Sequence, residues 1–159
     1  MRQPPKNTIA LDAIKAWKLT AIIFVGLLWL LTIVGMVLTI LFRWPLWYVI
    51  VASAISLLST YLFVFLLPRL RWRRWRYGVF EQEIYIQHGI FIVKRTLIPM
   101  IRVQHVDTKQ GPILKRYKLA SLAISTAATI HEIPALLEED ASELRDRISK
   151  LARVDEDDV

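Results

Sequence analysis

Leu19–Phe42 (LTAIIFVGLLWLLTIVGMVLTILF) and Trp44–Pro68 (WPLWYVIVASAISLLSTYLFVFLLP) stand back to back with a single charge, Arg43, between them, and Arg69–Arg76 (RLRWRRWR) follows at once. The two stretches hold 24 and 25 residues. As helices rising about 1.5 Å per residue, each reaches roughly 36 Å, against about 30 Å for the hydrocarbon core of a bilayer. A modest tilt takes up the difference. Their apolar character runs all round both helices, so a core helix with one buried stripe does not account for them. The expected organisation is a membrane helical hairpin: a cytoplasmic segment 1–18, spans over 19–42 and 46–68, and an extracytoplasmic turn over 43–45. Pro45 falls near the first helical position of the second span. The first stretch is too long for a signal-peptide core and lacks a small-residue cleavage site after it, so it is read as retained.

Working outward, the charges set the orientation. Arg2, Lys6, Lys15 and Lys18 precede the first span, and five arginines follow the second, while only Arg43 lies on the hairpin side. The positive-inside rule then puts both termini in the cytoplasm of a multi-pass cell-membrane protein. Net charge is +7, yet residues 1–131 carry 17 Lys/Arg against 4 Asp/Glu and residues 132–159 carry 4 against 10. Positive charge therefore gathers where lipid head groups would be, which favours anionic lipid over nucleic acid as the electrostatic partner. There is no cysteine, so disulfides, thiolate metal sites and cysteine nucleophiles are excluded.

Within the spans, Thr32, Gly35 and Thr39 share one helical face, and Ser53, Ser56 and Thr60 share one on the second helix. Small and hydroxylated faces let apolar helices approach closely and hydrogen-bond across the contact. Neither span contains an ionisable residue, so a transporter or proton carrier acting alone is disfavoured. Trp44, Trp47 and Tyr48 on one side, and Trp72 and Trp75 on the other, are expected to form interfacial belts. Arg69, Arg71, Arg73, Arg74 and Arg76, with Trp72 and Trp75 beside them, are candidate contacts for acidic head groups, at about 1 kcal/mol per basic residue near the surface. The plainer reading of that collar is an orientation determinant without lipid selectivity.

From Arg76 onward the pattern becomes β. Ile84-Tyr85-Ile86 alternates, His88-Gly89 reads as a hairpin turn with glycine supplying positive φ, and Ile90–Ile98 reads as a β-branched strand ending at Pro99. Val103–Gln110 and Leu119–Thr126 are further strands, separated by the basic turn Lys115–Lys118, and Thr129–Ile133 closes the sheet. Ala141, Leu144, Ile148 and Leu151 then form one stripe of an amphipathic helix over roughly Leu137–Arg153. Glu138, Glu139 and Asp140 suit its N-terminus. The result is a small α+β domain over 69–153 with an acidic, frayed tail over 154–159.

Ile98-Pro99-Met100-Ile101-Arg102-Val103-Gln104-His105-Val106, with Gln110-Gly111-Pro112, Leu119-Ala120-Ser121-Leu122 and Ser125-Thr126-Ala127, resembles the bacterial pleckstrin-homology-like domain of the YdbS membrane family. The resemblance covers about Arg71 to Arg153, and the preceding hairpin matches that family's layout. Lys118 departs from the pattern where glycine is common before the Leu-Ala pair, and Ala128 where one often follows Thr-Ala. The resemblance implies a bent, partly open β-barrel capped by the C-terminal helix, and a complex with a larger membrane protein bearing related domains. It implies no particular activity.

In that motif Ile98, Ile101, Val103 and Val106 suit the core, and Arg102, Gln104 and His105 form a candidate partner surface. The plainer reading of those three is solvated strand residues. Phosphoinositide recognition of the eukaryotic type needs a basic first hairpin loop, and here that loop is Glu81-Gln82-Glu83, so it is not carried across. His88, His105 and His131 have no metal-ligand spacing, and no phosphate loop or nucleophile elbow occurs. The expectation is a non-enzyme without cofactor or metal. Its cytoplasmic scaffold domain would work through protein–protein contact, by strand addition at exposed edges or at Leu119–Thr126. A homo-oligomer is compatible with that reading. The alternatives are an anionic-lipid-sensing module, with Lys94, Arg95 and Lys109 added to the collar, or an accessory subunit of an export or resistance system.

Overall fold

Apolar side chains pointing outward in every direction dominate the first half of the chain. The computed structural model describes Pro5 and residues 7–157, with side chains as far as Arg153. Arg2 and Lys6 of the charge argument, and the end of the acidic tail, fall outside the described residues. The chain divides into two units, Ala16–Arg69 and the residues on either side of it.

In the helical unit, α1 (Ala13–Leu41) runs to the turn. The return helix is continuous over Trp47–Arg74, as α2 (Trp47–Thr60), a π-helical segment (Tyr61–Leu66) and α3 (Leu67–Arg74). Both are long and apolar enough to cross a membrane. Phe24, Leu41 and Ile50 are each about 70% exposed, and side chains of that kind need an apolar solvent round them. Helix α1 starts six residues before the apolar stretch and takes Lys15 and Lys18 into its first turns. The arginine collar as far as Arg74 is likewise helical. Pro45 sits one residue before the N-cap Leu46, not at the first helical position. The π segment has a local cause. Pro68 brings no N–H to its turn, and widening the turn lets the Leu67 N–H bond to the Leu62 carbonyl instead.

The helices hold together through the small polar faces. The Thr32 and Ser56 hydroxyls meet at 2.8 Å, and the Trp29 indole N–H donates to Thr60 Oγ1 at 3.1 Å. Ser56 is fully buried.

The second unit has two three-stranded antiparallel sheets, β1-β2-β3 and β4-β5-β6. The strands are β1 (Arg76–Val79), β2 (Glu83–His88), β3 (Lys94–Pro99), β4 (Val103–Lys109), β5 (Leu119–Thr126) and β6 (Ile130–Leu137). A 3-10 turn, Met100–Arg102, links the sheets, and α4 (Pro112–Arg116) links β4 to β5. Helix α5 (Glu138–Asp157) packs on β4, β5 and the 3-10 turn. No described strand of one sheet pairs with a strand of the other, so the barrel is not closed by strand pairing. The buried side chains are apolar: Ile84, Ile98 and Met100 from the first sheet and its link, Leu122, Ile124 and Ile133 from the second, and Ala141 and Ile148 from α5.

Three expectations are corrected here. Residues 90–93 do not belong to a strand: β3 begins at Lys94, and the segment before it is an open loop. Strand β6 does not stop at Ile133 but passes through Pro134 to Leu137 by means of a bulge, with Ala135 at φ 51. The bulge absorbs a proline that has no ladder hydrogen bond to give. Leu119–Thr126 is the central strand of its sheet, paired on both edges and buried over seven of its eight residues. Strand addition there is impossible.

The segment before α1 is a structural part of this second unit. The Tyr77 N–H donates to the Asn7 carbonyl at 3.0 Å, and the Ala10 N–H to the Ala135 carbonyl at 3.2 Å. One short run of chain thus reaches an edge strand of each sheet, β1 and β6. Ile9 is 2% exposed, and its carbonyl accepts the Trp72 indole N–H at 3.1 Å.

Lys118, where a glycine was expected from the resemblance, has φ 52. A side chain in this left-handed conformation crowds its own carbonyl, which glycine avoids. Lys118→Gly should therefore stabilise the domain by about 0.5 kcal/mol, the relieved strain being partly offset by extra unfolded-chain entropy. Lys115→Gly, in α4, should destabilise it by up to about 1 kcal/mol. Thermal midpoints of the two variants should move in opposite directions; a drop for both would show that the Lys118 side chain matters more than its backbone.

Candidate functional site

Three surfaces present exposed charged or large apolar side chains. The first is the end of the long helix. Arg69, Arg71, Arg73 and Arg74 are exposed there, while Arg76 is half-buried in β1 opposite Gln87. The tryptophans are not free beside them. Trp75 is 7% exposed and stacks on the His88 ring at 4.8 Å, 14° from parallel. Trp72 is half-buried, with its indole N–H committed to Ile9. Both tryptophan rings are thus engaged within the second unit, while the arginines of the collar as far as Arg74 stay exposed. Burial, then the Lys94 and Arg71 charges, pushes the His88 imidazole below its usual pKa, so at neutral pH it stacks as an uncharged ring. Tyr77 is pushed up, first by burial and then by Asp140.

The second surface surrounds the junction of the sheets. Arg102 ends the 3-10 turn, and Gln104 is the extra residue of a bulge, since Val103 pairs with Thr126 while His105 pairs with Ser125. Arg102 and Gln104 line a groove of about 420 Å³ with Leu97, Ile101, the Thr126–Thr129 turn and His131. Ile101 is 59% exposed and was expected in the core. Next to the groove, Ile130 is exposed to a similar degree. His105 does not join them. It lies in a neighbouring cleft that Gln104 also lines, against Ser149 and Arg153 of α5, 3.8 Å from Asp107, with the His105 and Asp107 side chains exposed. Gln104 lines both, so it stands between Arg102 on one side and His105 on the other. His131 is held below its usual pKa by burial and then by Lys94.

The third surface was missed. The β2–β3 loop carries Phe91 at 93% and Ile92 at 85% exposure, ahead of exposed Lys94 and Arg95. Arg95 Nε donates to Gln87 Oε1 at 3.1 Å. The signal was present in Ile90-Phe91-Ile92-Val93: an unbroken apolar run at a hairpin turn lacks the alternation of a half-buried strand.

A pair of membrane-length helices joined to a two-sheet domain with a C-terminal helix defines a membrane protein carrying a small α+β module. The family model of the bacterial PH domain matches residues 9–152. The chain belongs to this bacterial PH domain family, and the match starts at Ile9, the residue at which the N-terminal run enters the core. The UPF0699 transmembrane protein YdbS of Bacillus subtilis (strain 168) is 53% identical over 159 residues, 100% of both chains. The UPF0699 transmembrane protein YdbT of the same organism is 30% identical over 98 residues, 62% of this chain and 20% of that protein. No solved structure matches. The YdbS-like resemblance first read from residues 98–127 therefore extends along the whole chain.

Proposed function

We propose that the chain is a two-span membrane protein with both termini in the cytoplasm, and that its bacterial PH domain is a scaffold for a membrane-protein partner bearing a related domain. The observation that carries this reading is the apolar groove at the sheet junction. Leu97, Ile101 and Ile130 stay exposed round it, Arg102 and Gln104 supply polar anchors, and the outer edges of β3 and β4 have no strand beside them among the described residues. An apolar centre with a polar rim suits protein contact, and a free edge can take a strand. The related stretch in the longer YdbT protein supports a partner built from the same module. No reaction is assigned: the scaffold binds, and its chemistry is that of the groove.

A photo-crosslinking residue at Ile101 in native membranes tests this. The expected result is an adduct to a membrane protein that contains a related domain, reduced roughly tenfold by Arg102→Glu, which leaves an unpaired charge in the contact. An adduct of twice the chain's mass would replace the partner by a second copy. Crosslinking no stronger than from Glu143 on α5 would remove the groove as a contact. Because the chain has no cysteine, a single cysteine at Trp44 also tests topology. It should label only from the extracytoplasmic side.

A further inference from the structure

We propose that the β2–β3 loop, Gly89–Val93, is a lipid-insertion wedge. Phe91 and Ile92 enter the boundary between head groups and acyl chains of the bilayer that carries the chain, and Lys94 and Arg95 hold anionic head groups beside them. Four observations converge on it. Phe91 and Ile92 are 93% and 85% exposed, far beyond Phe80, Ile101 or Ile130 at 53–60%. Two adjacent large apolar side chains held in water at a loop tip gain nothing from the fold, and they match the depth and chemistry of an interfacial anchor. The register then places the loop. Arg76, two residues beyond the end of the long helix, pairs with Gln87, and Trp75 stacks on His88, the residue before Gly89. The tip therefore projects from the end of the sheet at which the chain leaves its membrane-length helix. Charge agrees as well. Between Glu83 and Asp107 the sequence has Lys94, Arg95 and Arg102 and no acidic residue, so the loop's own flanks attract an anionic surface. Finally, tethering supplies the ligand: a loop on the same chain as two membrane-length helices meets that bilayer at high effective concentration.

The wedge is separate from the partner groove, which begins at Leu97 near the opposite end of β3. Four residue steps from Val93 to Leu97, at about 3.3 Å each, put roughly 13 Å between the two. A protein partner for the loop is the competing occupant, and the convex tip with its flanking cations fits a lipid surface better than a pocket.

The test uses the full chain reconstituted in lipid nanodiscs, with a small fluorophore on Ile92→Cys or, as control, on Glu143→Cys. Nitroxide-labelled acyl chains serve as quencher. In bilayers containing phosphatidylglycerol, quenching at Ile92→Cys should exceed the control by roughly fivefold, as for a side chain about 5–10 Å inside the boundary. Adding K94Q and R95Q, or changing the lipid to phosphatidylcholine, should reduce it by about threefold or more. Adding Phe91→Ser should also reduce it, which shows that the dye alone does not drive insertion. Phe91 is almost fully exposed, so that variant keeps the fold, as an unchanged thermal midpoint would verify. Equal quenching at the two labelled positions overturns the proposal. So does shielding of Ile92→Cys that arises only when membrane extract is added, which would assign the loop to a protein.

Discussion

Ile9→Asp should unfold the domain's edges and lower its stability by about 3–5 kcal/mol, the range for losing a buried aliphatic side chain and leaving a carboxylate without a partner. Ile9 is 2% exposed. Its neighbours tie the same short run to three places: Asn7 to Tyr77 of β1, Ala10 to Ala135 of β6, and the Ile9 carbonyl to the Trp72 indole. A charge at Ile9 draws the run into water and frees all three at once. The edge strands β1 and β6 lose the cover that shields their backbone groups, and Trp72 loses its acceptor in a half-buried site. Hydrogen exchange of the full chain in micelles reads this directly. Amides at the two edges should exchange at least tenfold faster, whereas the Thr32–Ser56 region of the helical pair should not change. Ile9→Val should cost only about 0.5–1.5 kcal/mol. If Ile9→Asp left the Tyr77 and Ala10 amides as protected as before, the N-terminal run would be an ornament and the domain would stand without it.

That run also shows where sequence reasoning stops. The helices could be read because their signal is local: an unbroken apolar stretch needs an apolar solvent whatever else the chain does. The stripe Ala141, Leu144, Ile148, Leu151 could be read for the same reason, and Ala141 and Ile148 are fully buried. The Thr32 and Ser56 faces likewise meet as their spacing implied. Asn7–Ala10 has no period, and its burial depends wholly on strands that lie some 70 and 125 residues further on. Trp72 and Trp75 look interfacial beside five arginines, yet their rings are engaged by Ile9 and His88, contacts that no local pattern encodes. The last strand was expected to close the sheet at Ile133, one residue before Pro134. The bulge that carries β6 past it is a tertiary solution, held by the pairing of Leu136 and Leu137 with Ala120 and Leu119. At the candidate site, Arg102 and Gln104 were found by motif and do share a groove. His105 shares a second cleft with Gln104, because the bulge at Gln104 interrupts the alternation that would otherwise part them.

Gly89→Val should cost about 2–4 kcal/mol, since it adds backbone strain to a collision that small shifts cannot relieve. Gly89 has φ 116, a region in which an L side chain is strained, and a Cβ there would run into the Ile92 carbonyl. The obstacle is backbone of the same tight loop, so the loop must open. The damage should stay with the first sheet. His88 pairs with Lys94 and Gln87 with Arg95, so those pairs fray first, while β4-β5-β6 shares no ladder with them. Exchange rates should therefore rise at Gln87 and Arg95 and stay fixed at Leu122 and Ile124. The variant also separates shape from chemistry at the loop. Phe91→Ser removes the apolar tip and leaves the turn intact, so it should affect lipid contact and not stability. Gly89→Val keeps Phe91 and Ile92 but releases them from a fixed direction, so it should lower both. A loop that tolerated valine at Gly89 without loss of either would not be held by its turn, and the exposure of Phe91 and Ile92 would then follow from slack chain. A rigid turn that holds two apolar side chains in the open is what gives their exposure a meaning.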